Sequence, residues 1–356
     1  MRTVGIHCFA GGFTSGVLRA TPVTAQLEAS AFGHETAARR CRVVVDPGGL
    51  WKGVVDTSVD LVFGNPRCTA FSSLSSSSGP DRRGPDATPT VDIRQLCAWG
   101  RRHWATFVVW ESVCQALTVG RRLVEDEEAR FRGKGYDVTH VLLTTADFGS
   151  AQNRRRYFFV ASRVRFEPLP PPRVAQPTTG DVLSPHLGRD VTPMKPVTVG
   201  STPDVCRALN RDERSVLRLL REGESLNHLA VDRHDELAAA SERYGDRALF
   251  RRSGQPFGLH ALRRLRWDAV CPTLHSGCRN LLHPRLDRTL SVREVAALMG
   301  WDDHPVGERP YEQCVKGIVP AVGEWVARSV ETSLGNSGAE GIARRVDLRK
   351  GDASWT

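Results

Sequence analysis

The 356-residue chain is 40% hydrophobic and 25% charged, the balance of a globular protein long enough for one large domain or two unequal ones. Its formal net charge of +9 suits a polyanionic partner, although only five of the 49 basic residues are lysine and GC-rich codon usage accounts for most of that ratio. No apolar run reaches the ~18 residues of a membrane span, and MRTVGIHCFAGGF lacks the layout of a signal peptide, so an intracellular protein is expected.

In chain order, TVGIHCF predicts a short strand that ends in the glycine pair of FAGG. VTAQLEAS predicts a second strand, followed by a helix over residues 34 to 40. CRVVVD, VDLVFGNP, FVVWES, VTHVLLTTADF and RRYFFVAS follow as short runs rich in Val, Phe and Leu, as buried strands of a mostly parallel sheet should be. IRQLCAWGRRHWAT and VGRRLVEDEEARFRGKG read as helices between them. This alternation over residues 1–165 predicts an α/β fold with a doubly wound, mostly parallel sheet. It is interrupted at residues 71 to 90 by FSSLSSSSGPDRRGPDATPT, whose Ser, Gly and Pro density predicts a long flexible loop. EPLPPP, at 167 to 172, predicts an extended hinge into a smaller, irregular domain over 166–309. RTLSVREVAALMG has helical spacing behind an N-cap at Ser291, and GEWVARSVETSL predicts a last helix. Residues 310–335 are expected to complete the first domain, and the polar stretch 336–356 to form a frayed tail.

Nine cysteines, none spaced as CxxC, suggest neither a zinc ribbon nor a disulfide framework, and no metal site is expected. Cys68 stands apart because GNPRCTAFSS directly follows the strand VDLVF. Its thiol is therefore expected at the carboxyl end of a strand, where open α/β sheets bind ligands, and at the start of the Ser-rich loop. Arg67 and the turn amides are candidates to stabilise a thiolate there; a packed strand-end cysteine is the plainer reading. In FAGG, glycines let the backbone approach a ligand closely. Glu28 ends the second strand, where an acid commonly takes ribose hydroxyls, and Asp46 ends the third, where it can accept from an adenine amino group. Together these three point to an adenosine-containing cofactor, against the reading of solvated loop acids. Glu111 of WESVC lies at a strand end in an apolar setting, and burial there would raise its pKa and equip it to deliver a proton. Gln152, Arg154 and Arg156 alternate at the entry to RRYFFVAS and are expected on one face. Two cations at the mouth of an apolar strand need an anion or carbonyls as partners.

In this order the sequence resembles the DNA cytosine-5 methyltransferases over roughly residues 3 to 334. The family's Pro-Cys-Gln-x-Phe-Ser block matches residues 66 to 72, its Glu-Asn-Val block Glu111, Ser112 and Val113, and its Gln-x-Arg-x-Arg block Gln152, Arg154 and Arg156. His283, Pro284, Arg288, Arg293, Glu294 and Gly300 match the block after the target-recognition region, and KGIVPAVGEWVA the last block. The glycine block, FAGGFTSG, is about two residues shorter than the family's, Arg67 and Thr69 replace a proline and a glutamine around the nucleophile, and Ser112 replaces an asparagine. Lys316-Gly317 stands for the usual Gly-Asn of the last block.

The resemblance implies a Rossmann-like methyltransferase fold and a smaller target-recognition domain. It implies transfer of a methyl group from S-adenosylmethionine to carbon 5 of a cytosine flipped out of duplex DNA by a monomer. Cys68, Glu111, Arg154 and Arg156 become the catalytic set, and Phe9, Gly11, Gly12, Glu28, Asp46 and Pro66 the cofactor set. Gln152, Arg82, Arg83 and Arg288 become substrate contacts, with Arg82 and Arg83 holding phosphates from a loop that closes over the base. A branch of the family that modifies tRNA and an inactive nucleic-acid-binding homologue are the alternatives; the sizeable variable region favours DNA, and intact Cys68 and Glu111 favour activity. At Lys316, an ammonium near the cofactor would favour a cofactor with an extra carboxylate, while a surface lysine is the plainer reading.

Overall fold

The computed structural model describes residues 1–54, 58–72, 84, 86, 88–194, 203–250, 257, 261–275 and 277–339. Seven strands carry the fold: β1 (Thr3–Ile6), β2 (Ala25–Glu28), β3 (Val43–Val45), β4 (Leu61–Gly64), β5 (Phe107–Ser112), β6 (Asp137–Thr144) and β7 (Arg155–Ser162). They form one sheet in the order β3-β2-β1-β4-β5-β7-β6. The first five are parallel to one another. β7 inserts antiparallel between β5 and β6. β1, β2, β4 and β5 are buried along their whole length; β4 reads accordingly as an apolar run, whereas β2 also buries Gln26 and Glu28 and β5 ends in buried Glu111 and Ser112. β6 forms an edge and is mostly half-buried or exposed.

Helices α1 (Gly12–Leu18), α2 (His34–Ala38), α3 (Val91–Arg102) and α4 (Arg121–Arg132) belong to the first part of the chain. The second part is built of short helices: α5 (Thr179–Leu183), α6 (Arg211–Val216), α7 (Leu226–Asp232), α8 (His234–Ala240), α9 (Glu242–Phe250), α10 (Val292–Leu298) and α11 (Pro310–Lys316), before the long α12 (Pro320–Ala339). One face of the sheet packs Val62, Val108 and Trp110 against Leu96 and Trp99 of α3 and Leu123 and Phe131 of α4. The other face packs Phe63, Val109 and Phe158 against Phe13 and Val17 of α1 and Val322, Val326 and Val330 of α12. α12 thus returns the end of the chain to the first sheet. Glycine permits this: a methyl group at Gly16 would lie 2.0 Å from the Pro320 carbonyl oxygen.

A third core joins Ala10 and Ala151 to Leu183, Leu290, Val295, Met299 and Val315, and so ties α5, α10 and α11 to the sheet. A fourth, with Leu217, Leu229, Leu237 and Tyr244, belongs to α6–α9. Ser291 caps α10 as expected, its hydroxyl accepting from the Glu294 amide while the Glu294 carboxylate accepts from the Ser291 amide.

Two expectations change. EPLPPP is not a free hinge, because the Glu167 and Leu169 amides donate to Ser333 and Ser329 of α12, and Trp325 Nε1 donates to the Leu169 carbonyl. The stretch from 336 does not begin as a frayed tail, since α12 continues to Ala339 and Asn336 donates to Glu167. The loop arginines Arg82 and Arg83, and residues 340–356, lie outside the described residues.

Candidate active site

The carboxyl ends of the parallel strands collect most of the residues singled out above. After β4, Asn65, Pro66 and Arg67 lead to Cys68, whose carbonyl accepts from the Phe71 and Ser72 amides in a tight turn. As a residue, Cys68 is half-buried. Glu111 is the fifth residue of β5, buried, and one step beyond the Trp110 that pairs with Gly64 of β4. Arg156 on β7 places its Nε 2.6 Å from Glu111 Oε1. Arg154, also buried, donates to the Val315 carbonyl oxygen at 3.3 Å and to Met299 Sδ at 3.3 Å. Of the two cations of the Gln-x-Arg-x-Arg block, Arg156 therefore finds a carboxylate and Arg154 a carbonyl.

The electrostatics couple these four groups. Burial pushes the Cys68 thiol up, the Glu111 carboxylate pushes it further, and Arg156 and Arg154 pull it down. Burial also raises Glu111 above the usual carboxylate range, against the pull of the same two arginines. A proton is thus held on Glu111 at a higher pH than an exposed glutamate would allow. Arg67 is not the thiol's cation: it forms a bidentate pair with Asp92 of α3, Nε to Oδ2 at 2.7 Å and NH2 to Oδ1 at 2.8 Å.

Beside this cluster is a cleft of about 400 Å³ lined by Phe9, Glu28, Phe32, Arg67, Asp92 and Lys316, with His7, Gln95 and Arg309. Its floor is the turn after β1. His7 and Phe9 both adopt left-handed backbone, φ 55° and 53°, as does Gly11 at 82°. Left-handed non-glycine residues are strained, on the order of 1–3 kcal/mol each. Glu28 holds the strained turn, its Oε1 accepting from the Cys8 amide at 2.6 Å, the Phe9 amide at 2.9 Å and Gln26 Nε2 at 2.9 Å. Burial still raises Glu28 well above the usual carboxylate range.

A family model of the C-5 cytosine-specific DNA methylases matches residues 52–332. The chain belongs to that family. Among curated relatives, the Type II methyltransferase M.AgeI of Thalassovita gelatinovora is 24% identical, over 94% of this chain and 100% of that protein. M.XorII of Xanthomonas oryzae pv. oryzae is also 24% identical, over 94% of this chain and 85% of that protein. Among solved structures, an E. coli prophage-encoded protein described as a DNA modification methyltransferase superposes with a TM-score of 0.67 at 16% identity, covering 94% of this chain and 99% of that one. DNMT2 of Spodoptera frugiperda gives 0.54 at 10% identity, covering 93% and 100%. These likenesses show the same fold. S-adenosylmethionine is the methyl donor of this class of enzyme.

In this C-5 cytosine methylase, the remaining site residues divide. Phe9 and Glu28 line the cleft, and Gly11 and Gly12 form the turn beside it, where a methyl group on Gly12 would lie 2.9 Å from the Ile318 carbonyl. Asp46 is half-buried and curls onto its own loop, accepting from the Gly48, Leu50 and Trp51 amides. Those amides hold its carboxylate below the usual range. Gln152 does not face a substrate groove: it is buried, its Nε2 donating to the Leu298 carbonyl and Met299 Sδ and its Oε1 accepting from the Leu274 amide. Arg288 makes a bidentate pair with Glu294, both bonds 2.8 Å, away from Cys68 in a second cavity with Arg207 and Arg218. Asp92, Gln95, Phe32 and Arg309 were missed in the sequence. Asp92 and Gln95 sit one helical turn apart on α3, a signal that carries meaning only once the helix is seen against the β4 turn. Among the described residues, no group of three or more His, Cys, Asp or Glu side chains is placed to hold a metal. None of the described helices is long and apolar enough to cross a membrane.

Proposed function

We propose that this chain modifies carbon 5 of cytosine in DNA through a transient covalent bond from Cys68 to carbon 6 of the base. The observation that carries the reading is the meeting of Cys68, Glu111, Arg154 and Arg156 at the carboxyl ends of β4 and β5 and the entry to β7, against a cleft with Glu28 in its wall. A lining of the Glu28 carboxylate, the Asp92 carboxylate paired with Arg67, strained-turn residues and two phenylalanine rings, Phe9 and Phe32, fits an adenosine-bearing cofactor. S-adenosylmethionine would supply the electrophilic methyl group there, with Glu28 on the ribose hydroxyls and Phe9 against the adenine.

Cytosine carbon 5 is too electron-poor to accept a methyl group unaided. Addition of the Cys68 thiolate to carbon 6 makes carbon 5 enamine-like and divides one hard step into easier ones. Glu111, whose affinity for a proton is raised by burial, delivers a proton to ring nitrogen 3 as charge develops there. Arg156 holds the Glu111 carboxyl in place and stabilises the thiolate. Arg154 acts by positioning, because its guanidinium binds the Val315 carbonyl and joins α11 to the site. After loss of the carbon-5 proton, Cys68 leaves carbon 6 and is regenerated.

A ring face can meet the thiol only when the base has left the duplex, so flipping of the target nucleotide belongs to the proposal. Residues 166–309 are proposed to read the target sequence, and Arg82 and Arg83 to hold phosphates. The test is sequencing of DNA from cells that express the protein, read for modified cytosines. Modified cytosine in a defined sequence context is expected, and Cys68→Ser should reduce it to background. Modification that persists in Cys68→Ser overturns the mechanism.

A further inference from the structure

Three successive residues at the end of α11 are pinned between the nucleophile and the cofactor cleft. The Val315 carbonyl accepts from Arg154. The Lys316 carbonyl accepts from Asn65 Nδ2 at 3.0 Å, and Asn65 is three residues before Cys68. A methyl group at Gly317 would lie 3.3 Å from Gly12 Cα in the turn after β1. The Lys316 side chain is exposed but not unpartnered, with Glu312 Oε2 3.6 Å from its Nζ. Its Nζ lies 4.1 Å from the ring centroid of Phe32 and 5.9 Å from that of Phe9, on the wall of the cleft.

On the Lys316 side of that wall the cations outnumber the carboxylates. Asp92 is taken by Arg67. Among the described residues, Glu312 is the carboxylate that pairs with both Arg309, at 3.4 Å, and Lys316, at 3.6 Å. Two cations therefore share one anion, beside the place where a sulfonium, itself positive, must bring its transferred carbon to Cys68's substrate. Like charges so placed disfavour binding, unless the ligand carries a compensating anion at that point. A carboxylate attached to the transferred carbon does so. It neutralises the sulfonium and accepts a charge-assisted hydrogen bond from the ammonium.

We propose that Lys316 selects a cofactor in which the transferred methyl of S-adenosylmethionine bears a carboxylate, giving the enzyme a carboxymethyl-transfer activity in preference to methyl transfer. The inference rests on the cytosine-5 reading above. In the step, the Cys68 sulfur bonds to carbon 6, and carbon 5 forms a bond to the CH2 of the S–CH2–COO⁻ group. The carbon–sulfur bond of the cofactor breaks with its electron pair kept by the sulfur, leaving the neutral thioether S-adenosylhomocysteine. The carbon-5 proton goes to a base, the Cys68–carbon 6 bond breaks, and 5-carboxymethylcytosine remains. No oxidant or reductant is required.

The test has a binding arm and a product arm. Isothermal titration calorimetry compares S-adenosylmethionine with its carboxylated analogue on the full chain and on Lys316→Gln, which is partly exposed and removes only the charge. The carboxylated analogue is expected to bind the native protein roughly tenfold or more tightly than S-adenosylmethionine, as one charge-assisted bond allows. Lys316→Gln should abolish or invert that preference. Equal or weaker binding of the carboxylated analogue by the native protein overturns the proposal, as it would if Lys316 held the amino-acid carboxylate common to both cofactors. An unchanged preference in Lys316→Gln overturns it as well, and the native ratio stands as a test even if that variant does not fold. In the product arm, duplex DNA is incubated with both cofactors and its nucleosides are identified by mass spectrometry. 5-Carboxymethylcytosine is expected; 5-methylcytosine alone overturns the proposal and leaves the Cys68 mechanism standing. No modified cytosine from either cofactor counts against the cytosine-5 reading, and the binding ratio then still decides the role of Lys316.

Discussion

Cys68 is flanked by one carboxylate that raises its pKa and two guanidinium groups that lower it, on top of a burial effect that raises it. Its thiolate fraction grows with pH, so the rate should show a limb that rises toward alkaline pH. Arg156→Gln removes a cation that favours the thiolate, and this limb should move to higher pH in a pH–rate profile. Glu111→Gln removes the carboxylate that opposes the thiolate, so the same limb should move to lower pH. In that variant kcat should nevertheless fall roughly 10²–10⁴-fold, because the proton for ring nitrogen 3 is lost. A limb that moves the same way in both variants would refute the assigned couplings. Glu28 illustrates a different use of a buried acid, since its Oε1 satisfies two backbone amides of a turn made of left-handed His7 and Phe9.

At the scale of elements, α10 is fixed by its cap and by the Arg288–Glu294 pair. Ser291→Ala removes the side-chain acceptor for the Glu294 amide and should cost about 1 kcal/mol, seen as a lower denaturant midpoint at unchanged slope. Burial alone would raise Glu294, but the Arg288 pair and the Ser291 amide leave its pKa below the usual value. Its contribution to stability is therefore complete above the ordinary glutamate value of about 4.3 and is lost as pH falls through the lower folded value. Glu294→Gln should flatten that acid limb in a plot of stability against pH. The Pro-rich stretch at 167 to 172 is also an element-scale matter. Composition marks it as extended, and only α12, through Ser329, Ser333 and Trp325, makes it a strap.

For the molecule as a whole, the decisive contact is the return of α12 to α1. Gly16 lies where a methyl group would be 2.0 Å from the Pro320 carbonyl oxygen and 2.8 Å from Gly323 Cα, both backbone. Gly16→Ala must push the two helices apart and should destabilise the protein by about 1–3 kcal/mol in denaturant unfolding. Because Gly12 and Gly317 meet beside the same helix pair, the variant should also weaken cofactor binding in titration calorimetry. An Ala variant with native stability and affinity would show that the helices have room to spare.

The sequence by itself determined the strand–helix alternation and the strand-end positions of Cys68 and Glu111. These are local properties: unbroken apolar runs, turn residues and the offset of each polar residue from a run. It also singled out Glu28, an acid at the end of the second strand, with a solvated loop acid as the alternative reading. It could not distinguish Glu28 from Asp46, which share that pattern, since the difference is whether the carboxylate turns toward the β1 turn or onto its own loop. Nor could it separate Arg154 and Arg156, alike in spacing, until one met Glu111 and the other the Val315 carbonyl. The partners of Arg67 and Arg154, and the place of Lys316 on the cleft wall, involve residues 25 to 251 positions apart. Those pairings depend on how the sheet is ordered and how the chain end folds back, which periodicity within a segment does not contain.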